Sequence, residues 1–200
     1  PIPLLVMTSP ENHAETETFF REHGFFGLPE TEILFKPQRM LPAFTPGGKL
    51  VLERPGKLFE NPDGHGGALR VLNEGGTAWF RGRGVEIVHY FQVDNPLLPV
   101  PDPAFLGFHL SAGSQFTTKV VPKTGPGERM GVLAVVDGTL RVVEYSELPE
   151  DLARARDGEG RLLFWAGNMA VHVIDLDFVD RFAGEISLPW HVAQKSAEVW

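Results

Sequence analysis

The chain has 200 residues, a net charge of −8 and no cysteine. The length is sufficient for one well-packed domain, and the negative charge without a basic run excludes nucleic acid as the main partner. The absence of cysteine excludes a disulfide framework and a thiolate metal site. No apolar stretch reaches the ~18 residues that a membrane span requires, so we expect no membrane partner and a cytoplasmic enzyme.

The first half of the chain alternates short apolar runs with helical and turn patterns. Leu4–Met7 is a continuous apolar run, which is typical of a strand buried in a parallel sheet. Asn12 is placed to cap the helix that follows it. The predicted elements in chain order are a strand (4–7), a helix (13–23), a strand (33–35), a hairpin (49–53 with 57–60), a glycine-rich loop (61–67), a helix (68–73) and a helix or turn (77–82).

The second half continues this alternation. The predicted elements are a strand (85–93), a helix (102–111), a strand (117–121), a hairpin (130–136 with 140–145), a helix (150–156), a strand or its approach (162–166) and a mostly helical segment (171–182). Alternating strands and helices predict an α/β fold whose sheet is mainly parallel, with helices on both faces. The two hairpins predict antiparallel additions to that sheet.

The loop Asn61–Gly67 is the first candidate functional feature. Gly64, Gly66 and Gly67 permit positive φ and a close approach of backbone to a base or a phosphate. Asp-Gly and Gly-Gly are also ordinary turn dipeptides, so a plain surface turn is the alternative. The loop is neither a P-loop nor a dinucleotide fingerprint.

Polar residues that follow predicted strands are the second candidate feature. Asp94 follows the strand 85–93, and a carboxylate at the end of a sheet strand is well placed to hold Mg²⁺ near a phosphate. An Asx turn in Asp94-Asn95 is the alternative. Glu144, Tyr145 and Asn168 stand at similar breaks, where they would bind sugar hydroxyls or serve as turn and cap residues.

Several segments together resemble one family, the eukaryotic-type UDP-sugar pyrophosphorylases. The resemblance covers nearly the whole chain in the family's order. The matching segments are Leu5–Ser9, Phe19–Leu28, Gln38–Ala43 (Q-x-M-L-P-A in the family), Pro62–Gly67 (P-D-G-N-G-G), Val93–Asn95 (V-D-N), Lys119–Thr124 (K-V-V-E-K-T), Val143–Glu147 (V-E-Y-S-E) and Ala166–Asn168 (A-G-N).

The resemblance implies a Rossmann-like, GT-A-like nucleotidyltransferase fold and a Mg²⁺-dependent uridylyltransferase. Its partners would be UTP, a sugar 1-phosphate, the UDP-sugar and pyrophosphate. The V-E-Y-S-E form is closer to the UDP-N-acetylglucosamine branch than to the UDP-glucose branch. A UDP-glucose or broad-specificity enzyme is the nearest alternative, and a non-catalytic nucleotide-sugar binding module is a second.

The resemblance also implies roles for individual residues. Gln38 and Gly64 would hold the uracil, and Asp94 would stand by the α-phosphate and its metal as the catalytic residue. The residues implied to contact the sugar are His65, Gly131, Glu144, Tyr145 and Asn168.

Two departures from the family pattern bear on function. His65 stands where the family loop usually has Asn, which places the identity of the sugar in question. The family's G-G-x-G-T-R-L-G phosphate loop is absent from the 200 residues, and so is the lysine-bearing strand expected beyond His191–Lys195. We therefore expect residues 1–200 to be the central part of a longer catalytic domain, and to be inactive alone.

Overall fold

The computed structural model describes residues 1–181 and divides into two compact units. Of the described residues, the first unit contains 1–86 and 179–181, and the second contains 87–178. The segment His191–Lys195 and the end of the predicted helix 171–182 lie outside the described residues.

The first unit begins with a β-α-β arrangement. Strand β1 (Leu4–Thr8) leads into helix α1 (His13–Glu22), and β2 (Ile33–Pro37) then pairs with β1 in parallel. A parallel pair needs such a crossover because its strands run in the same direction. Asn12 does not cap α1 through its side chain as expected; its Oδ1 instead accepts the Ser9 backbone N–H at 2.7 Å.

Short antiparallel ladders and two helices complete the first unit. The predicted hairpin is confirmed as β4 (Leu52–Arg54) with β5 (Lys57–Leu58), and β3 (Met40–Pro42) pairs with β6 (Glu60–Pro62). Helices α2 (Gly67–Val71) and α3 (Thr77–Arg81) follow the glycine-rich loop and are joined by a wider π-helical turn.

The second unit is built on one five-stranded antiparallel sheet. Its elements are β7 (Ile87–Tyr90), α4 (Pro103–Ser111), β8 (Phe116–Pro122), β9 (Val132–Val136), β10 (Thr139–Val143), α5 (Glu150–Arg154) and β11 (Ala166–Asp175). Strand β11 is central because β8, β9 and β7 all pair with it, while β10 pairs with β9. Val171 and Val173 of β11 are 1% and 0% exposed, so this strand lies in the core.

Helix α4 is attached to the sheet through a buried histidine. The ring of His109, 1% exposed, contacts the Thr117 hydroxyl at 2.7 Å through Nδ1 and the Asp175 carboxylate at 2.9 Å through Nε2. A buried imidazole without partners would lose its hydrogen bonds to water. The two contacts therefore tie the end of α4 to β8 and β11.

Three expectations about the fold are wrong. Within the described residues only β1 and β2 pair in parallel, and every other ladder is antiparallel, so the sheet is not mainly parallel. The predicted strand 85–93 is confined to Ile87–Tyr90. The predicted helical segment from 171 is instead the second half of β11, and only α6 (Leu176–Arg181) is helical.

These differences share a physical cause. A short apolar run does not distinguish a strand from a buried helix, and it does not reveal the direction of a strand's neighbour. Strand β11 is buried on both faces, so apolar residues occur on both. Its sequence therefore lacks the apolar–polar alternation that marks a strand with one exposed face. In residues 1–181 no helix is long and apolar enough to cross a membrane.

Candidate functional site

Each unit brings together one group of predicted site residues. The first, which we call the Gln38 cluster, consists of Gln38, Gly64 and Gly67. The Gln38 backbone N–H donates to the Thr8 carbonyl at 2.8 Å, which places Gln38 just beyond the carboxyl ends of the parallel pair β1–β2. Ligands of open α/β sheets bind at such strand ends.

The side chain of Gln38 is oriented by the glycine-rich loop. The Gly64 backbone N–H donates to Gln38 Oε1 at 2.9 Å. This bond identifies the oxygen of the amide, so the NH₂ group is directed elsewhere. The neighbouring Asp63 N–H donates to the Arg39 carbonyl at 3.1 Å, because the β3–β6 ladder continues into the loop.

Two glycines of the loop are required by geometry. Gly64 has φ +85°, a left-handed conformation that residues with a Cβ rarely adopt. A Cβ on Gly67 would lie 3.3 Å from Gln38 Oε1 and 3.2 Å from the Cβ of Asp63. The loop therefore brings backbone against the amide of Gln38. His65 lies beside Gly64 and is exposed.

The second group, which we call the Asn168 cluster, consists of Gly131, Glu144 and Asn168. The Asn168 backbone N–H donates to the Gly131 carbonyl at 2.8 Å. A Cβ built on Gly131 would lie 3.3 Å from Glu144 Oε1, so the carboxylate rests against this glycine. Strands β9, β10 and β11 thus place the three residues together.

A bulge in β11 sets the direction of the Asn168 side chain. The pairing of β11 with β8 shifts between Asn168 and Val171, and Ala170 has φ 52°. Asn168 Oδ1 accepts the Ala170 N–H at 3.1 Å. Bulges re-aim side chains in this way. Asn168 therefore lies within a strand, and not in a break between a strand and a helix as expected.

Tyr145 follows Glu144 and is less constrained. Its side chain is 49% exposed, in the turn where the Glu144 carbonyl accepts the N–H groups of Glu147 and Leu148 at 2.9 and 3.0 Å. The turn holds the backbone of Glu144 while leaving the ring of Tyr145 at the surface.

Asp94 differs from the expected position at the end of a buried strand. Strand β7 ends at Tyr90, Val93 is 94% exposed, and Asp94 lies in an exposed turn closed by the Asn95 N–H bond to the Gln92 carbonyl at 3.3 Å. Burial raises the pKa of Tyr90; the Gln92 hydrogen bond opposes this rise, and repulsion from the Asp94 charge adds to it.

We tested whether Asp94 fits the magnesium ion that the family implies. In residues 1–181 no group of three or more His, Cys, Asp or Glu side chains is arranged to hold a metal. Mg²⁺ in nucleotide sites commonly keeps several waters and takes one or two carboxylates together with substrate phosphates. A single exposed aspartate is compatible with that mode and not with a site made of protein ligands alone.

Lys119 and His89, two titratable residues of the second unit, differ in their partners. Lys119 Nζ contacts Asp102 Oδ2 at 2.8 Å, and this bond, with the N–H groups of Phe105 and Ala104, lowers the pKa of Asp102. His89 lies inside β7, as expected, and burial lowers its pKa. Neither ring nitrogen of His89 has a hydrogen-bond partner among the described residues.

Sequence reasoning missed two residues that support the Asn168 cluster. A Cβ on Gly167 would meet Met130 Sδ and would lie 3.1 Å from the Val121 carbonyl, so Met130 packs directly against this glycine. The Thr118 hydroxyl reaches Asn168 Oδ1 at 3.4 Å and His172 Nδ1 at 2.7 Å. The adjacent threonines Thr117 and Thr118 carry no motif, so only the β8–β11 register could reveal this contact.

The described residues form a mixed α/β fold with a glycine loop against the Gln38 amide and with the Asn168 amide near the Glu144 carboxylate. The family model described as UTP–glucose-1-phosphate uridylyltransferase matches residues 1–199, and the chain belongs to this family.

Curated relatives match almost all of this chain. The UDP-N-acetylhexosamine pyrophosphorylase-like protein 1 of Homo sapiens is 41% identical over 197 residues, which cover 97% of this chain and 39% of the relative. The UDP-N-acetylglucosamine pyrophosphorylase of Saccharomyces cerevisiae is 37% identical over 198 residues, covering 97% and 42%. The chain thus spans about two fifths of the length of these relatives.

A solved structure shares the fold. The putative UDP-N-acetylglucosamine pyrophosphorylase of Entamoeba histolytica aligns with a TM-score of 0.86 at 31% identity, over 98% of this chain and 49% of that one. A mutant UDP-glucose pyrophosphorylase of Leishmania major in complex with UDP-glucose aligns with a TM-score of 0.69 at 18% identity, over 92% of this chain and 42% of that one, and shows similarity of fold alone.

Proposed function

We propose that the protein to which this chain belongs is a UTP:N-acetylglucosamine-1-phosphate uridylyltransferase, which forms UDP-N-acetylglucosamine and pyrophosphate. The observation that carries the proposal is the pair of oriented amides. Gln38 and Asn168 each have the amide oxygen bound by a backbone N–H, at 2.9 and 3.1 Å. Each amide therefore has its NH₂ group available to donate to a ligand oxygen.

The Gln38 cluster is proposed to bind the uracil. The NH₂ group of Gln38 would donate to a uracil carbonyl, and the second lone pair of Oε1 remains able to accept the ring N–H. The left-handed conformation of Gly64 lets the base lie directly against backbone. Cytosine presents an amino donor where uracil has a carbonyl, so the same amide would disfavour it.

The Asn168 cluster is proposed to bind the sugar. The Glu144 carboxylate would accept hydrogen bonds from sugar hydroxyls, which charged acceptors bind strongly. The NH₂ group of Asn168 would donate to a sugar or N-acetyl oxygen. Tyr145 and His65 would contact the sugar from exposed positions. A His65→Asn variant tests whether His65 affects the choice of sugar.

The chemistry is a displacement at the α-phosphorus of UTP. An oxygen of the sugar phosphate forms the new bond to that phosphorus, the bond to the bridging oxygen breaks, and pyrophosphate leaves. Positioning and charge neutralisation supply most of the acceleration in such reactions. Asp94 would hold Mg²⁺, which neutralises phosphate charge when bound. The chain's own residues orient the base and the sugar.

A titration of the chain with UTP, UDP-N-acetylglucosamine and UDP-glucose, with and without Mg²⁺, tests the proposal. We expect preference for UDP-N-acetylglucosamine, loss of all three ligands in Gln38→Ala, and loss of only the sugar preference in Asn168→Ala. Asn73→Ala is the matched control, because Asn73 belongs to the first unit but not to the Gln38 cluster.

Other results would contradict the proposal in specific ways. Tighter binding of UDP-glucose would favour the UDP-glucose or broad-specificity alternative. Binding of none of the three ligands would overturn the assignment of both clusters for this chain. We expect no turnover by these 200 residues, since they lack the family's phosphate loop, and UDP-sugar synthesis by them would contradict that expectation.

A further inference from the structure

The side chain of Asn168 has a second potential donor besides Ala170, and it comes from the neighbouring strand. Thr118 of β8 lies opposite His172 of β11, next to the bulge that begins at Asn168. Its Oγ1 is 3.4 Å from Asn168 Oδ1, 3.4 Å from the Val171 carbonyl and 2.7 Å from His172 Nδ1. The hydroxyl has one proton and two acceptor lone pairs to satisfy these neighbours.

The short contact with His172 determines where that proton is directed. If Nδ1 carries a hydrogen, His172 donates to Thr118, and the hydroxyl proton is left for Asn168 or Val171. If Nδ1 carries none, Thr118 donates to His172, and Asn168 Oδ1 keeps the Ala170 N–H alone. His172 is buried between the rings of Tyr90 and Phe116, with centroids 5.7 and 4.9 Å away, so its ring is held in place.

We propose that His172 donates from Nδ1 to the Thr118 hydroxyl, and that Thr118 is a positioning residue for Asn168: its hydroxyl donates to the Asn168 amide oxygen and holds it inward so that the NH₂ group faces the ligand. The inference rests on the proposed function through the sugar-binding role of Asn168. Two donors from different strands restrict rotation of the amide more than the Ala170 N–H does by itself. Thr118 does not touch the ligand and acts only through Asn168.

A binding experiment tests this role with matched variants. Thr118→Val keeps the shape and removes the hydroxyl, while Thr118→Ser keeps the hydroxyl. In titrations of the 200-residue chain, we expect Thr118→Val to weaken UDP-N-acetylglucosamine binding about fivefold, the effect of one ordinary hydrogen bond. UTP binding should be unchanged, and Thr118→Ser should restore the wild-type affinity.

A double mutant of Thr118 and Asn168 distinguishes a positioning role of Thr118 from a general structural effect. In an Asn168→Ala background, Thr118→Val should have no further effect on UDP-N-acetylglucosamine binding, because the side chain it positions is gone. Equal weakening of UTP binding, failure of the serine variant to restore affinity, or a persisting effect in that background would overturn the inference.

An NMR measurement decides the inference without any ligand. The side-chain NH₂ signals of Asn168, assigned by their loss in Asn168→Ala, should be sharp and dispersed in the wild type and in Thr118→Ser. They should broaden or shift toward the values of mobile amides in Thr118→Val, while the backbone spectrum keeps its folded dispersion. Unchanged signals in Thr118→Val would overturn the inference. Failure of the wild type to bind UDP-N-acetylglucosamine would overturn the proposed function instead.

Discussion

The Gln38 and Asn168 clusters orient an amide in the same way but rest on different supports. In the Gln38 cluster the donor is a loop glycine, Gly64, which is exposed and joined to short two-stranded ladders. In the Asn168 cluster the donor is Ala170, which is buried in a bulge of the central strand of a five-stranded sheet. An exposed loop is free to relax around a substitution, whereas a packed strand is not.

The comparison indicates that ligand binding and stability are separable in one cluster and coupled in the other. Substitutions at Gln38 and Gly64 should change affinity more than they change the free energy of unfolding. Substitutions in the Asn168 cluster should change both.

The largest expected effect is at Gly131. A Cβ there would lie 2.9 Å from Val142 Cγ1 and would displace the Glu144 carboxylate. We expect Gly131→Ala to lower the free energy of unfolding by about 1–3 kcal/mol, as overpacking does, and to weaken sugar-nucleotide binding. Urea denaturation measures the first effect. Gly125→Ala is the control, since a Cβ at Gly125 meets nothing within 4 Å. A Gly131→Ala variant as stable as this control would contradict the packing described for the cluster.

A smaller effect on stability and a clear one on binding are expected at Gly64. A Cβ there meets nothing within 4 Å, but the φ of +85° strains any other residue by about 1 kcal/mol. Gly64→Ala should therefore shift the loop and weaken UTP binding about tenfold, the equivalent of ~1.4 kcal/mol. Calorimetric titration measures this change. Gly47→Ala, in the same unit and without positive φ, should bind UTP normally. Equal affinities of the two variants would remove Gly64 from the site.

His89 provides a test of the second unit by pH. Burial lowers its pKa below the ordinary 6.5, so the folded state favours the neutral ring. Its contribution is complete above pH 6.5 and is lost as the pH falls through the lowered pKa, because the unfolded chain then binds a proton more readily. His89→Phe should flatten this fall in the free energy of unfolding, measured by urea denaturation at several pH values below 6.5. A parallel decline in both proteins would exclude His89 as the cause.

The smallest expected effect is at Asp102, which caps α4 with bonds to the Ala104 and Phe105 N–H groups and pairs with Lys119. Its lowered pKa means that the stabilisation is complete above the ordinary value of 3.8 and is lost as the pH falls through the folded pKa. Asp102→Asn should therefore have a lower melting temperature than the wild type at neutral pH, with the difference shrinking below pH 4. A difference that is constant with pH would contradict this assignment.

Local backbone features, such as turns and helix starts, were predicted well from the sequence. The turn Asp137-Gly138 joins β9 to β10 with φ values of 51° and 75°, as its hairpin pattern predicts. Asp102 and Pro103 begin α4 as expected, because cap chemistry is local. Each of these features depends on a few consecutive residues.

Features that depend on distant partners were not predictable in this way. Strand β11 has the apolar composition of a buried helix as much as of a strand, and its pairing with β7, β8 and β9 determines which it becomes. Asp94 was expected at the end of a buried strand, but β7 pairs with β11 only over Ile87–Tyr90, which leaves Asp94 in an exposed turn.

By itself, the sequence determined the Asp137-Gly138 turn, the start of α4 at Asp102 and Pro103, and the two hairpins. Only the tertiary structure decided the direction of the strands, the bulge that aims Asn168 and the contact of Thr118 with it. The reason is that turn and cap preferences arise from φ, ψ and hydrogen bonds within a few residues. Strand register and burial are instead set by groups that are far apart in the chain and meet only on folding.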